Sequence, residues 1–173
     1  MPIVLIWSVT AAAENYIDLD VGVNYSNVSP SEPSPIDGNF EQSATGYHLG
    51  FGAYRNKEPS RWVYGVKLEF AEVVGSNMLA VRALDLGYKF TPRLTVNGFI
   101  GAARYDLATP AYGYRAGFGG HYWIGSRWAL AVEAVYGDSL ARDKRFPEEN
   151  PEVGSPDIFF DIFTLSAYIK YRF

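Results

Sequence analysis

His48 and His121 are the chain's two histidines, and acid-base chemistry near neutral pH would fall first to an imidazole. Neither stands in a spacing that a Ser/His/Asp arrangement would license. Ser126 is the nearest hydroxyl to weigh against His121, but the two fall on opposite sides of a strand end, poorly placed to share a proton. Lys67, Glu69 and Glu133 read more simply as members of structural ion pairs than as acid-base catalysts. With no Cys in the chain, thiolate metal sites and disulfides are excluded. The net charge of −4 offers no basic footprint for nucleic acid. The expectation is a protein that is not an enzyme and holds no cofactor and no metal.

The elements that carry these residues are strands. From Phe163 to Phe173 every odd position is apolar or aromatic, and the even positions are Thr164, Ser166, Tyr168, Lys170 and Arg172. Such a period-2 stripe is a strand with one apolar and one polar face. Seven earlier segments repeat the pattern, over Tyr16–Tyr25, Ala44–Tyr54, Trp62–Glu72, Met78–Phe90, Leu94–Tyr105, Tyr112–Ile124 and Trp128–Tyr136. In the fourth the first half is blurred at Val81 and Arg82. In the fifth both faces are apolar or small, and Leu94, Val96, Ile100 and Ala102 are assigned outward. Apolar residues are 48% of 173, yet no run reaches the ~18 residues of a membrane-spanning helix. The 13 Tyr and 4 Trp suit a membrane-water boundary. Eight alternating strands of this kind predict an all-β, eight-stranded antiparallel up-and-down transmembrane β-barrel.

A soluble barrel has the same alternation with its faces reversed. Here the polar face is also the glycine-rich one, with Gly22, Gly46, Gly50, Gly52, Gly65, Gly87, Gly113, Gly117 and Gly119, while the other is bulky and aromatic. A cramped eight-stranded interior needs small residues and paired charges, so the apolar face is assigned to lipid. The inward ionisable set is then Asp18, Asp20, Glu69, Asp85 and Glu133 against Lys67, Lys89, Arg115, Lys170 and Arg172, five acids and five bases. Buried charges persist only when paired, and the balance predicts a salt-bridged plug in place of a diffusion pore. At the seam between the first and last strands, Asp18 and Asp20 are expected to meet Lys170 and Arg172. The alternative is a narrow passage or binding site for a small apolar molecule, with a mouth formed by Tyr105, Tyr112 and Trp123.

Connections are short at 55–61, 91–93 and 125–127, modest at 73–77 and 106–111, and long at 26–43 and 137–157. Short turns on one rim and longer loops on the other match the periplasmic and extracellular sides of an outer-membrane barrel. The short turns are basic, with Arg55, Lys57, Arg61, Arg93 and Arg127 against Glu58, whereas Glu32, Asp37, Glu41, Asp138, Asp143, Glu148, Glu149, Glu152 and Asp157 against Arg142, Lys144 and Arg145 make the long ones acidic. Solvated loop charge accounts for that acidity, with binding of divalent cations or basic partners as the alternative. At the N-terminus, an apolar run at residues 3–9 precedes Ala11-Ala12-Ala13, the pattern of an export signal cut after Ala13, though the usual basic leader is missing from Met1-Pro2. Residues 14–173 then form the barrel domain.

The passage Tyr88-x-Phe90-Thr91-Pro92-x-Leu94, the Gly-rich strands and the ending Ile169-x-Tyr171-x-Phe173 resemble small outer-membrane β-barrel proteins of the OmpA and OmpX type. The resemblance is one of pattern over residues 14–173. It implies a bacterial outer-membrane location, contact with outer-membrane lipid and lipopolysaccharide, and a monomer. It also implies that Ile169, Tyr171 and Phe173 form the signal read by the barrel-assembly machinery. Some small barrels of this membrane modify lipid A with a His and a Ser facing the bilayer, which is why His121 and Ser126 are weighed at all. The function expected is a non-enzymatic barrel serving envelope integrity or surface recognition through its extracellular loops.

Overall fold

The computed structural model describes residues 13–31, 41–57, 59–106, 110–144 and 157–173. The strands are β1 (Ala13–Pro30), β2 (Gln42–Lys57), β3 (Trp62–Val73), β4 (Ser76–Lys89), β5 (Leu94–Asp106), β6 (Pro110–Trp123), β7 (Trp128–Lys144) and β8 (Asp157–Arg172). Each pairs antiparallel with the next, and β1 pairs with β8 to close an eight-stranded barrel. Residues 1–12, which carry the expected export signal, lie outside the described residues.

Alternation decides which face is which, as the pattern predicts. Ile17, Val21, Val23 and Tyr25 of β1, Tyr47, Leu49 and Phe51 of β2, and Trp128, Leu130, Val132 and Tyr136 of β7 all point outward. The ambiguous β5 takes the assigned register, with Leu94, Val96 and Ile100 exposed and Phe99 buried. Phe118 is 69% exposed and Tyr114 79%. A continuous apolar belt of this size is stable only against lipid. Ile17 to Tyr25 and Trp128 to Tyr136 match the ~9–11 residues with which a tilted strand crosses a bilayer. Trp62, Tyr88, Phe90, Trp128, Tyr171 and Phe173 gather at the short-turn end, where Trp128 and Tyr171 rings lie 4.7 Å apart and Trp62 and Tyr88 rings 5.0 Å apart.

Three expectations about connections are corrected. Strand pairing continues well into both segments read as long loops: Val28 pairs with Gln42 and with Ile162, Pro30 with Phe160, and Lys144 with Asp157. Pairing there requires backbone hydrogen bonds and not side-chain alternation, so polar residues conceal it. The residues between, 32–40 and 145–156, lie outside the described residues. The modest 73–77 connection is a two-residue turn, Val74-Gly75, with φ of 48° and 75°. Positive φ at both central positions is what a tight hairpin demands, and a β-branched Val pays strain for it.

The last correction is a β-bulge. On β3, Gly65 pairs with Asp85 and Lys67 with Arg82, so Ala83 and Leu84 of β4 together face Val66. Across β5, Arg82 pairs with Gly101 and Leu84 with Ile100, which makes Ala83 the extra residue. Ala83 and Leu84 both point outward, and the inward parity of β4 switches from Met78, Ala80 and Arg82 to Asp85 and Gly87. A bulge re-aims side chains in this way. It is the reason that alternation is blurred at Val81 and Arg82.

Candidate functional site

The interior is filled in three layers. Nearest the long-hairpin end, Val28, Ala71, Val73, Met78, Ala80, Ala103, Tyr105, Phe160 and Ile162 pack into an apolar cluster. The Tyr105 hydroxyl there donates to the Val73 carbonyl at 2.8 Å. Sequence reading missed this layer because the inward face, polar through the lipid belt, turns apolar here while the outward face carries Asn27, Asn77 and Arg104.

The middle layer is ionic, and Arg82 is its hub. Its guanidinium meets Glu133 through two contacts, Nη1 to Oε1 at 2.9 Å and Nη2 to Oε2 at 2.5 Å. It also reaches Asp85 at 3.1 Å and donates to Glu69, while the Phe99 ring centroid lies 3.6 Å from its Cζ. Forked donors on a carboxylate and a cation over a ring are the two contacts a planar guanidinium makes best. Arg115 pairs with the other Glu69 oxygen at 3.1 Å. Lys67 bonds Asp20 and lies 3.3 Å from Glu69. Asn97 donates to Asp85 at 3.1 Å, and the Tyr54 hydroxyl donates to the other Asp85 oxygen at 3.1 Å.

Towards the short turns, Lys170 donates to Asp18 at 2.9 Å and stands 3.7 Å from Asp20. Arg172 lies between the rings of Tyr16 and Trp123, 3.8 Å and 4.0 Å from their centroids. With His48 stacked on Tyr168 at 4.9 Å, all eight strands contribute to this core. Gly50 makes room for it, since a Cβ there would run into Lys67 Cε.

Of the predicted interior residues, Asp18, Asp20, Lys67, Glu69, Asp85, Arg115, Glu133 and Lys170 are buried and brought together. Two are not. Lys89 keeps the inward parity but sits at the partly exposed rim, outside the ion-pair network. Arg172 neutralises no carboxylate at the seam, because aromatic faces hold it instead. Arg82, left out of the predicted set, takes the central place, and its signal in the sequence is the break in alternation that the bulge causes. The expected aromatic mouth does not form. Tyr105 is inside the apolar layer, Trp123 is at the opposite end of the interior, and Tyr112 is 71% exposed on the outside.

His121 and Ser126 are not brought together. His48 faces Glu69 at 3.8 Å within the ionic core. His121 is turned inward with its ring 5.4 Å from that of Trp123, while Ser126 is exposed in the turn beyond. The carboxylates of the core are each held by cations or donors. Dry surroundings strengthen each pair and make each loss costly. Ile169, Tyr171 and Phe173 share the lipid face, with Ile169 and Phe173 exposed and the Tyr171 and Phe173 rings 4.9 Å apart.

Among solved structures, the chain is similar to Ail, the attachment invasion locus protein of Yersinia pestis, with 12% identity over 92% of this chain and 99% of that one and a TM-score of 0.59. Neisserial surface protein A shares 14% identity over 94% and 99% of the two chains, with a TM-score of 0.53. A transmembrane β-barrel designed de novo shares 17% identity over 91% and 95%, again with a TM-score of 0.53. Ail has also been solved with the heparin analogue sucrose octasulfate. No protein-family model matches the chain, and no curated protein matches it by sequence. The shared fold is that of the small bacterial outer-membrane β-barrels, in agreement with the resemblance to the OmpA and OmpX type.

Proposed function

We propose that the chain is a closed, non-enzymatic outer-membrane barrel whose work is done at its long-hairpin end, as a scaffold for surface recognition or as a brace of the envelope. The observation that carries this reading is the filled interior. An apolar layer, an ionic layer tied to every strand and an aromatic layer around Arg172 succeed one another along the axis. Charges held by opposite charges across the interior stabilise a wall and leave little to select ions in transit. The long hairpins β1–β2 and β7–β8 rise past the apolar belt, and loops on a rigid scaffold are where recognition is carried.

The charge of that end bears on the partner. Between β1 and β2 the sequence places Glu32, Asp37 and Glu41 without a basic residue, and between β7 and β8 it places Glu148, Glu149 and Glu152 against Arg145. An acidic end repels a sulfated polyanion such as the heparin analogue bound by Ail, and favours a cationic partner. Reconstitution into planar bilayers tests the closed barrel: the protein is expected to give no stepwise conductance. Stable single-channel steps would overturn the reading.

A further inference from the structure

On the lipid-facing side of β1–β4, at the short-turn end, lies a groove of about 690 Å³ bordered by Ile17, Tyr64, Val66, Leu84 and Phe173, with Ala53 as its small floor residue. Ala53 pairs with Ile17 on one side and Val66 on the other, so two branched side chains overhang a methyl group. The bulged pair Ala83 and Leu84 closes the far end, and Phe173, whose backbone N–H bonds the Ile17 carbonyl at 3.0 Å, closes the near one. At its short-turn edge the groove ends on Arg55, which is exposed and, among the described residues, forms no ion pair.

We propose that this groove binds one anionic glycerophospholipid from the leaflet at the short-turn end, an acyl chain lying over Ala53 and the phosphate at Arg55. A guanidinium beside an apolar channel matches the two halves of such a lipid, since it presents forked donors to phosphate at the level of the headgroups. Lys57 and Arg61, exposed on the same hairpin, outnumber the single acid of that turn, Glu58, and add positive potential. Two other grooves on the lipid face lack this match. One, over Val96, Phe118, Val132 and Leu165, has no outward charge, and the other, over Ile100, Ala102, Tyr114 and Tyr136, has no outward cation. The site goes beyond the proposed surface role and depends only on the barrel crossing a membrane, so either reading can fail without the other.

The test is native mass spectrometry of the full chain released from nanodiscs of equal phosphatidylglycerol and phosphatidylcholine, with heat-modifiable gel mobility certifying that each variant is folded. One phosphatidylglycerol should be retained per barrel. Arg55→Gln should lower its retention about fivefold, roughly the effect of one interfacial cation, and Ala53→Phe should lower it by filling the acyl-chain floor, whereas Lys57→Gln should leave most of it. If Ala53→Phe does not fold, Ala53→Leu fills the same floor. Equal retention of the two lipids, equal loss in Lys57→Gln and Arg55→Gln, or displacement by millimolar inorganic phosphate would overturn the proposal, the last by showing a bare anion site.

Discussion

Arg82 shows how one side chain can organise a barrel interior. It holds Glu69, Asp85 and Glu133, which come from three strands, and it does so above the Phe99 ring. Its removal by Arg82→Met leaves three carboxylates short of a cation, and breaking a buried pair costs about 3–5 kcal/mol. Unfolding in detergent should therefore shift to lower urea or temperature by that amount, with Glu133→Gln in the same chain recovering part of it. If Arg82→Met unfolds like the parent, the hub role is wrong. The seam gives a finer test. Asp20 bonds Lys67 directly and is 3.7 Å from Lys170, whereas Lys170 donates to Asp18 at 2.9 Å. The loss caused by Asp20→Ala should accordingly be relieved more by Lys67→Met than by Lys170→Met. Double-mutant cycles with the opposite order would assign Asp20 to Lys170.

At the scale of the strand, the bulge at Ala83 sets the facing of half of β4. A shift of one residue turns a strand's whole apolar set to the other face. Deleting Ala83 would carry Asp85 and Gly87 outward, or force Met78, Ala80 and Arg82 outward in their place. Either outcome puts charge into lipid at about 2–4 kcal/mol per cation near the midplane, less for acids. The deletion should abolish the heat-modifiable folded form, whereas Ala83→Gly should keep it; survival of the deletion would mean that β4 reaches its register without the bulge. The terminal stripe of β8 belongs to the same scale. Phe173 is 70% exposed and hydrogen-bonded to β1 only through its backbone N–H, so folding alone gives little reason for its aromatic ring. If Ile169, Tyr171 and Phe173 form the assembly signal, Phe173→Asp should lower surface levels in cells several-fold while the purified variant still refolds in detergent; equal surface levels would refute the signal.

For the molecule as a whole, the two ends differ in kind. Trp123, Arg172 and the aromatic girdle mark the short-turn end, with Arg55, Lys57, Arg61, Arg93 and Arg127 exposed beside it. The apolar interior layer and the two long hairpins mark the other. If the long hairpins face outward, protease added to intact cells should cut within 32–40 or 145–156 and spare the turns at 58–61 and 91–93. The short turns resist a protease because they are tied by backbone hydrogen bonds, as where the Ser60 N–H donates to the Lys57 carbonyl at 2.8 Å. Thr91 reinforces one such turn, its hydroxyl accepting from the Leu94 N–H at 2.9 Å. Cutting at those turns in intact cells would show the reverse orientation.

The amino-acid sequence by itself determined the class of fold and the faces of the strands, because period-2 alternation is local and a bulky apolar face opposite a glycine-rich one leaves a narrow choice of interior. It also determined most of the ionic core, since an ionisable residue on the inward parity of an eight-stranded barrel has nowhere else to go. Three things were decided only in the closed structure. The centre of the core is Arg82, because one extra residue in β4 changes parity, and a bulge becomes visible only when the neighbouring strands supply the register. Arg172 and Lys89 share the inward parity but lie where the barrel ends, so their height along the axis, set by strand tilt and stagger, separates them from the carboxylates. The apolar layer beneath the long hairpins is the third, for there the contrast is inverted, with Val28, Val73, Met78, Tyr105 and Ile162 inward and Asn27, Asn77, Arg104 and Asp161 outward. Alternation continues there with its polarity reversed, because an outward residue beyond the lipid belt meets water, and only the closed barrel shows where the belt ends.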